Sequence, residues 1–398
     1  MRSAGPRQDD RTWRVALAIT ACATVFTAMQ GLTYPLLALI LDRMAAPEWV
    51  IGINAATMPV GMILAAPLTP RLMHRWGGYR LTVASLVISA ACLLAIGAIP
   101  DAVLWMPLRL LMGLALACIL IVNESWINEI ASDAYRGRII GVYSAVLSAG
   151  FALGPALLTV VGSHGRAPFV VGTGLPLLAL LPLVAVRRRL PEAPADDDRA
   201  SVRAFLPLAP LLLVCAAVVA LADEGAMSFL PIFALQHGYG EHAGTLLLVV
   251  MIAGSVTLQY PVGWLADRLP RRAVMTGCAL VAAASAGLMP LAAWTPPLFG
   301  ALVFAWGGAY YAIYVLSLIR LGEWFRGTTL VAGNAAFAAM WGVGGIAGSA
   351  VVGGAMSILG SSGFALVFVI AFGGIAVAHA RAATGERSGG AGQGRPAA

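Results

Sequence analysis

The chain has 398 residues, of which 60% are hydrophobic and 11% charged, and its mean hydropathy is +0.86. A soluble globular chain is about half apolar and about a quarter charged, so that class is excluded in favour of a protein that crosses a membrane many times. The formal net charge is +7, and all 25 basic residues are arginine; their distribution along the chain, set out below, accounts for this charge without a nucleic-acid partner.

Residues 1–14 form a polar tail carrying Arg2, Arg7, Arg11 and Arg14. The apolar run 15–41 that follows far exceeds the roughly 7–15 residues of a signal-peptide core, so it reads as an uncleaved first span. A crossing needs roughly 17–25 residues. Eleven further runs qualify: 49–71, 81–99, 103–124, 139–161, 168–186, 206–233, 244–266, 273–293, 298–320, 329–355 and 363–380. The segment 187–205 contains "RRRLPEAPADDDRASVR" and separates two sets of six spans, 15–186 and 206–380; a tail, 381–398, is expected to be disordered. The predicted fold is an all-α membrane protein of twelve transmembrane helices in two pseudo-symmetric six-helix bundles.

The five cysteines each sit alone in an apolar run, and no cysteine pair or histidine cluster has metal-ligand spacing. Polar side chains inside the spans are more informative, because a charge at bilayer depth costs at least about 2.5–3.5 kcal/mol. In span one, Thr20, Thr24 and Thr27 recur at helical spacing, and Gln30 and Tyr34 continue the face. Arg109 lies in span four. Asp223 and Glu224 are neighbours in span seven and point about 100° apart, so they do not share one direction. Span ten carries Tyr310, Tyr314 and Ser317 at helical spacing with Tyr311 beside them, and span eleven carries Asn334 and Trp341 one heptad apart. Each has a bland alternative: a structural acid pair, an arginine snorkelling to the interface, or interhelical packing.

The arginines orient the chain. With the N-terminus inside, 22 fall in cytoplasmic segments and two, Arg43 and Arg166, in outer loops. That asymmetry follows the positive-inside rule and explains the net charge. Both termini and the 187–203 linker are then cytoplasmic.

The two halves repeat one another. "APLTPRLMHR" (66–75) follows span two, and "GWLADRLPRR" (263–272) follows span eight. Arg136-Gly137 precedes Gly154 at the same spacing as Arg326-Gly327 precedes Gly344, and Gln30-Gly31 corresponds to Glu224-Gly225. Glu224 therefore matches Gln30 in the repeat and is favoured over Asp223 as the functional acid. Duplicated halves are common in secondary transporters. Within span eleven, "GVGGIAG" (342–348) matches the dinucleotide fingerprint G-x-G-x-x-G/A but lacks the preceding strand and the following acid. Gly344 and Gly348 are read instead as helix-packing residues.

"GWLADRLPRR" resembles motif A of the major facilitator superfamily, with Pro270 in place of one glycine. The first-half copy has Ala66 for the first glycine and Pro70 for the aspartate. Arg109-x-x-x-Gly113 resembles motif B. Gly150-x-x-x-Gly154-Pro155 resembles a partial motif C, with Leu158 and Thr159 where its closing glycine pair would stand, and is read as helix packing. "VNESWINEIASDAYRGRIIGVY" (122–143) is similar to the bacterial YcaD-like branch of that superfamily. The resemblance implies that helices one, four, seven and ten line a central cavity. Thr27, Gln30, Tyr34, Tyr310, Tyr311 and Tyr314, with Asn334 and Trp341, would then meet the substrate. Glu224, Asp223 and Arg109 would couple transport to protons. The cytoplasmic gate would comprise Asp267, Arg268, Arg271, Arg272 and Arg71, with Glu124, Arg136, Arg138, Glu323 and Arg326 at the neighbouring helix ends.

The expected function is secondary active transport by alternating access in the bacterial inner membrane: proton-coupled efflux of a small amphipathic compound, by a monomer, with no cofactor and no metal. One alternative is proton-coupled uptake of a sugar or organic anion, with Arg109 holding the anion. Another is a non-transporting sensor on a transporter fold. No phosphate loop, nucleophile motif or metal-ligand set points to an enzyme. Reporter fusions after Arg189 and after residue 381 are expected to give cytoplasmic signals, and a periplasmic signal at either point would overturn the span count.

Overall fold

The computed structural model describes residues 6–130, 136–191, 202–325 and 327–389. The helices, in chain order, are α1 (Pro6–Arg43), α2 (Glu48–Trp76), α3 (Gly78–Ala98), α4 (Ala102–Ile130), α5 (Arg136–Val161), α6 (Ala167–Val186), α7 (Val202–Phe205), α8 (Pro210–Gln236), α9 (Glu241–Thr257), α10 (Gln259–Arg268), α11 (Arg271–Ala292), α12 (Pro296–Trp324), α13 (Gly327–Leu359) and α14 (Ser361–Gly389). No strand occurs among the described residues. Hydrocarbon offers backbone N–H and C=O groups no partner, and a helix satisfies them within itself. Among the described residues, eleven stretches are long and apolar enough to cross a membrane, and Ala149–Val161 of α5 is a shorter apolar helix. Each of the twelve expected spans falls on one of these.

The eighth span is two helices where one was expected. Pro261 has no N–H to give the carbonyl of Thr257, and its ring crowds that carbonyl. α9 accordingly ends at Thr257 and α10 begins at Gln259, while Leu258 donates to Gly254 O and accepts from Val262 N, both at 3.0 Å.

The chain divides into two compact units. One comprises Met1–Arg199, Glu224–Val249 and Gly345–Gly354, and the other Ala200–Asp223, Val250–Gly344 and Ala355–Ala398. In the first, α2 packs on α4, α1 on α5 and α6, and α3 on α4 and α6. In the second, α11 packs on α12 and α14.

Glycines set the crossings, as expected where helices approach closely in lipid. A Cβ on Gly61 would run into Leu110 O, and one on Gly113 into Met58 O, so α2 and α4 touch backbone to backbone. In the second unit, Gly254 stands against Phe304 O and Gly307 against Met251 O, which joins α9 to α12 in the same way. Each of these four glycines and each of its partners has its counterpart in the other half, at an offset constant to within one residue. A Cβ on Gly154 would strike Gly31 and Leu32 of α1, one on Gly150 would strike Thr27, and Pro155 Cδ lies 3.0 Å from the Cβ position of Gly31. Gly344 stands against Ala217 O of α8. Gly348 offers its carbonyl oxygen 3.3 Å from the Cβ position of Gly225.

Gly113→Val would force a branched side chain into the α2–α4 contact, where overpacking costs typically about 1–3 kcal/mol. A clear fall in the thermal transition of the detergent-solubilised protein is expected. Gly174, in α6, has open space at its Cβ position. Gly174→Val should leave the transition close to that of the parent.

Candidate functional site

The same α2–α4 contact places a charge. Gly113 seats α4 on Met58, and one turn earlier on each helix stand Arg109 and Asn54. Arg109 is 1% exposed, and its Nη1 donates to Asn54 Oδ1 at 3.1 Å. The guanidinium carbon lies 5.0 Å from the centre of the Tyr34 ring, within cation–π range. Nε and Nη2 have no hydrogen-bond partner among the described residues. These two form the side edge of the guanidinium, the edge that grips a carboxylate with two parallel bonds. A buried charge left without opposite charge is expensive, and Glu224 of the same unit bears on Arg109 electrostatically.

Glu224 is 2% exposed. Its Cγ lies 3.2 Å from the position a Cβ would take on Gly345, beside Pro59 of α2. Ser349 Oγ donates to the Glu224 carbonyl oxygen at 3.4 Å. The glycine of α13 thus makes room for the acid. Asn54, 0% exposed, was not anticipated as a site residue. Its signal in the sequence was a lone amide in an apolar span.

In the second unit, Asp223 is 7% exposed and accepts a hydrogen bond from Tyr310 Oη at 2.7 Å. The turn of about 100° per residue therefore separates the two acids. Asp223 faces α12, and Glu224 faces Pro59 of α2 and Gly345 of α13. Tyr310 is packed among Trp306 and Phe372, with ring centres 4.8 and 6.3 Å away. Tyr311, Tyr314 and Trp341 are half-buried and form a second aromatic group, in which the Tyr314 centroid lies 6.0 Å from Tyr311 and 4.9 Å from Trp341. Asn334 is exposed.

The threonines of α1 turn back on their own helix: Thr20 donates to Ala16 O, Thr24 to Thr20 O and Thr27 to Thr24 O. Thr27 also meets the face of α5 at Gly150. Gln30 is buried, with Nε2 3.5 Å from Met62 Sδ.

Asp267 and Arg268 are exposed at the end of α10, and the Arg268 guanidinium lies 3.7 Å from the centre of the Trp264 ring. Arg271 of α11 forms an ion pair with Glu323 of α12. Arg272 is half-buried, and Arg71 and Glu124 are exposed. Arg326 lies outside the described residues, as do the side chains of Arg136 and Arg138. Among the described residues no group of three or more His, Cys, Asp or Glu side chains could hold a metal ion.

A family profile described as "Major Facilitator Superfamily" matches residues 17–319 and 212–395. The chain is 25% identical over 316 residues to the uncharacterized MFS-type transporter YfkF of Bacillus subtilis (strain 168), covering 77% of this chain and 79% of that one. It is 26% identical over 304 residues to the uncharacterized MFS-type transporter YcaD of Escherichia coli (strain SE11), covering 75% and 78%. Among solved structures, it is similar in fold to a bacterial homologue of the human lysosomal transporter Spinster, in an inward-facing and occupied conformation. That match has a TM-score of 0.77 and 15% identity, and it covers 99% of this chain and all of the other. With eleven span-length apolar helices and a shorter one among the described residues, and with this match along nearly its whole length, the chain belongs to the Major Facilitator Superfamily.

Proposed function

We propose that this protein is a proton-coupled secondary transporter of the bacterial inner membrane, working by alternating access with both termini inside. The observation that carries the reading is Arg109, wholly buried with Asn54 and Tyr34 in α2 and α1, in the same unit as a second buried charged group, Glu224 of α8. A carboxyl opposite a fixed guanidinium is held in two ways. Ionised, it neutralises Arg109; protonated, it releases Arg109 for another anion. Either state is tolerable in a low-dielectric site only while the total charge is balanced. Proton uptake is thereby tied to a change of partner. Asp223, satisfied by the Tyr310 hydroxyl, is the weaker choice of proton carrier. The exposed Asp267–Arg268 end of α10 is assigned to the cytoplasmic gate.

Efflux of a small amphipathic compound is the first reading of the cargo, supported by the half-buried aromatic group Tyr311, Tyr314 and Trp341. The Nε–Nη2 edge of Arg109 favours a second reading, a carboxylate-bearing organic anion.

Proteoliposomes given a pH gradient and a panel of amphipathic cations, neutral sugars and organic acids would test this. Protein-dependent flux of at least one class is expected. Glu224→Gln should abolish gradient-driven flux and leave substrate exchange at zero gradient. Unchanged driven flux would remove Glu224 and transfer the role to Asp223. No flux with any class would favour the sensor.

Arg109→Lys separates the two cargo readings. Lysine keeps the charge but presents no planar two-bond edge. If the cargo is an organic acid, its KM should rise roughly ten-fold or more, about the 1.4 kcal/mol of one charge-assisted hydrogen bond. If the cargo is an amphipathic compound without a carboxylate, its KM should hold.

A further inference from the structure

One charged cluster of the first unit has no part in the site above. It lies at the end marked by the loops 44–47, 162–166 and 237–240. Arg43 is the last residue of α1, Ser163 sits in the α5–α6 turn, and Glu241 opens α9. Arg43 Nη1 lies 2.5 Å from Glu241 Oε1 and donates to Ser163 Oγ at 2.7 Å, while Nη2 donates to the Ser163 carbonyl oxygen at 2.8 Å. Ser163 Oγ donates in turn to Glu241 Oε2. His164 Nδ1 stands 3.7 Å from the same oxygen. The turn that presents Ser163 is bounded by Gly162 and Gly165 at φ +79° and +68°, a left-handed backbone that glycine adopts readily.

The cluster joins the two halves of the sequence, with Arg43 and Ser163 from the first six spans and Glu241 from the second. Further cross-links between the halves surround it. Gln236 Nε2 donates to Glu48 Oε1 at 3.4 Å, and Thr159 Oγ1 to Thr245 Oγ1 at 3.5 Å. Just inside this end, Gly52 of α2 stands against Ser349 O of α13, and Gly353 of α13 against Glu48 O. α2 and α13 are therefore in backbone contact beneath the ion pair. A cavity of about 570 Å³ lies beside it, lined by Thr159, His164, Gly240 and His242 among others. Ser163 and Glu241 are among its lining residues, whereas Arg109 and Glu224 are not.

We propose that Arg43, Ser163 and Glu241 are the latch that holds this outer end of the transport path shut. The inference rests on the alternating-access reading. Arg43 and Glu241 side chains are 30% and 22% exposed, so the pair is partly screened and breakable. Ser163 makes it geometrically specific by bridging both partners. A contact present in one state and absent in the other shifts the two populations by its own free energy. Losing it should favour the state open at this end.

The reporter is Ser349→Cys, a buried position against Gly52 that is expected to be exposed when α2 and α13 part. The full chain in proteoliposomes is labelled with a membrane-impermeant maleimide, with the five buried native cysteines as the background. Glu241→Gln and Arg43→Ala should each raise the reporter's labelling rate roughly five-fold, and Ser163→Ala should raise it less. The exchanged pair, Arg43→Glu with Glu241→Arg, should return toward the parent rate. Labelling unchanged in both single variants would overturn the latch. So would an equal rise at native Cys22, packed between α1 and α6, since that reports general loosening. The readout is accessibility and needs no substrate. A failed latch therefore leaves the flux assay standing, and a failed flux assay in a protein whose latch responds would point to gating without cargo.

Discussion

Hydrocarbon supplies no hydrogen-bond partners, and that single fact governs both the backbone and the polar side chains of this protein. The backbone answers with helices joined by short turns, and with no strand among the described residues. The side chains answer in two ways. Thr20, Thr24, Thr27 and Ser317 satisfy their hydroxyls on the preceding turn of their own helix. Hydroxyls bonded in this way slightly weaken a helix and often bend it. Arg109, Asp223 and Glu224 have no such local solution. Their partners come from other helices, so their positions depend on how the helices are packed.

Packing and chemistry follow opposite symmetry. The Gly61–Leu110 and Gly113–Met58 contacts reappear as Gly254–Phe304 and Gly307–Met251. The polar pair one turn away does not reappear. Where the first half has Asn54 and Arg109, the corresponding positions hold Leu247 and Val303, both buried. The motif-A aspartate shows the same asymmetry in the other direction, with Asp267 in the second half and Pro70 in the first. Glycine crossings are a solution to close approach that serves either half equally. A buried guanidinium costs too much to keep twice unless both copies are used.

Most of the helical architecture was legible because long apolar runs and a lopsided arginine distribution are global signals, insensitive to any one residue. The break at Leu258 was legible in principle from Pro261, but a proline inside a transmembrane run often leaves the helix intact, as Pro35 does in α1. The site was legible only in part. The sequence marked Arg109, Asp223 and Glu224 by their cost. It could not say which acid met which partner, because that depends on helix rotation, and rotation is decided by contacts such as Gly345 on Glu224. Asn54 escaped notice because an uncharged amide is cheap enough to be common. Arg43 and Glu241 lie nearly two hundred residues apart in sequence, and nothing in either neighbourhood announces the other.

The interruption between α9 and α10 also has a mechanical side. A continuous helix transmits a rotation along its length, whereas one relieved of a backbone hydrogen bond by proline bends there first. Asp267 lies nine residues beyond Leu258, about 13 Å at a rise of about 1.5 Å per residue. A bend of only about ten degrees at that point carries its carboxylate roughly 2 Å sideways, enough by itself to make or break a hydrogen bond. The second half thus holds the Asp267-bearing end of α10 on a short lever with its own fulcrum, so a bend there would reposition that end without turning the rest of the span.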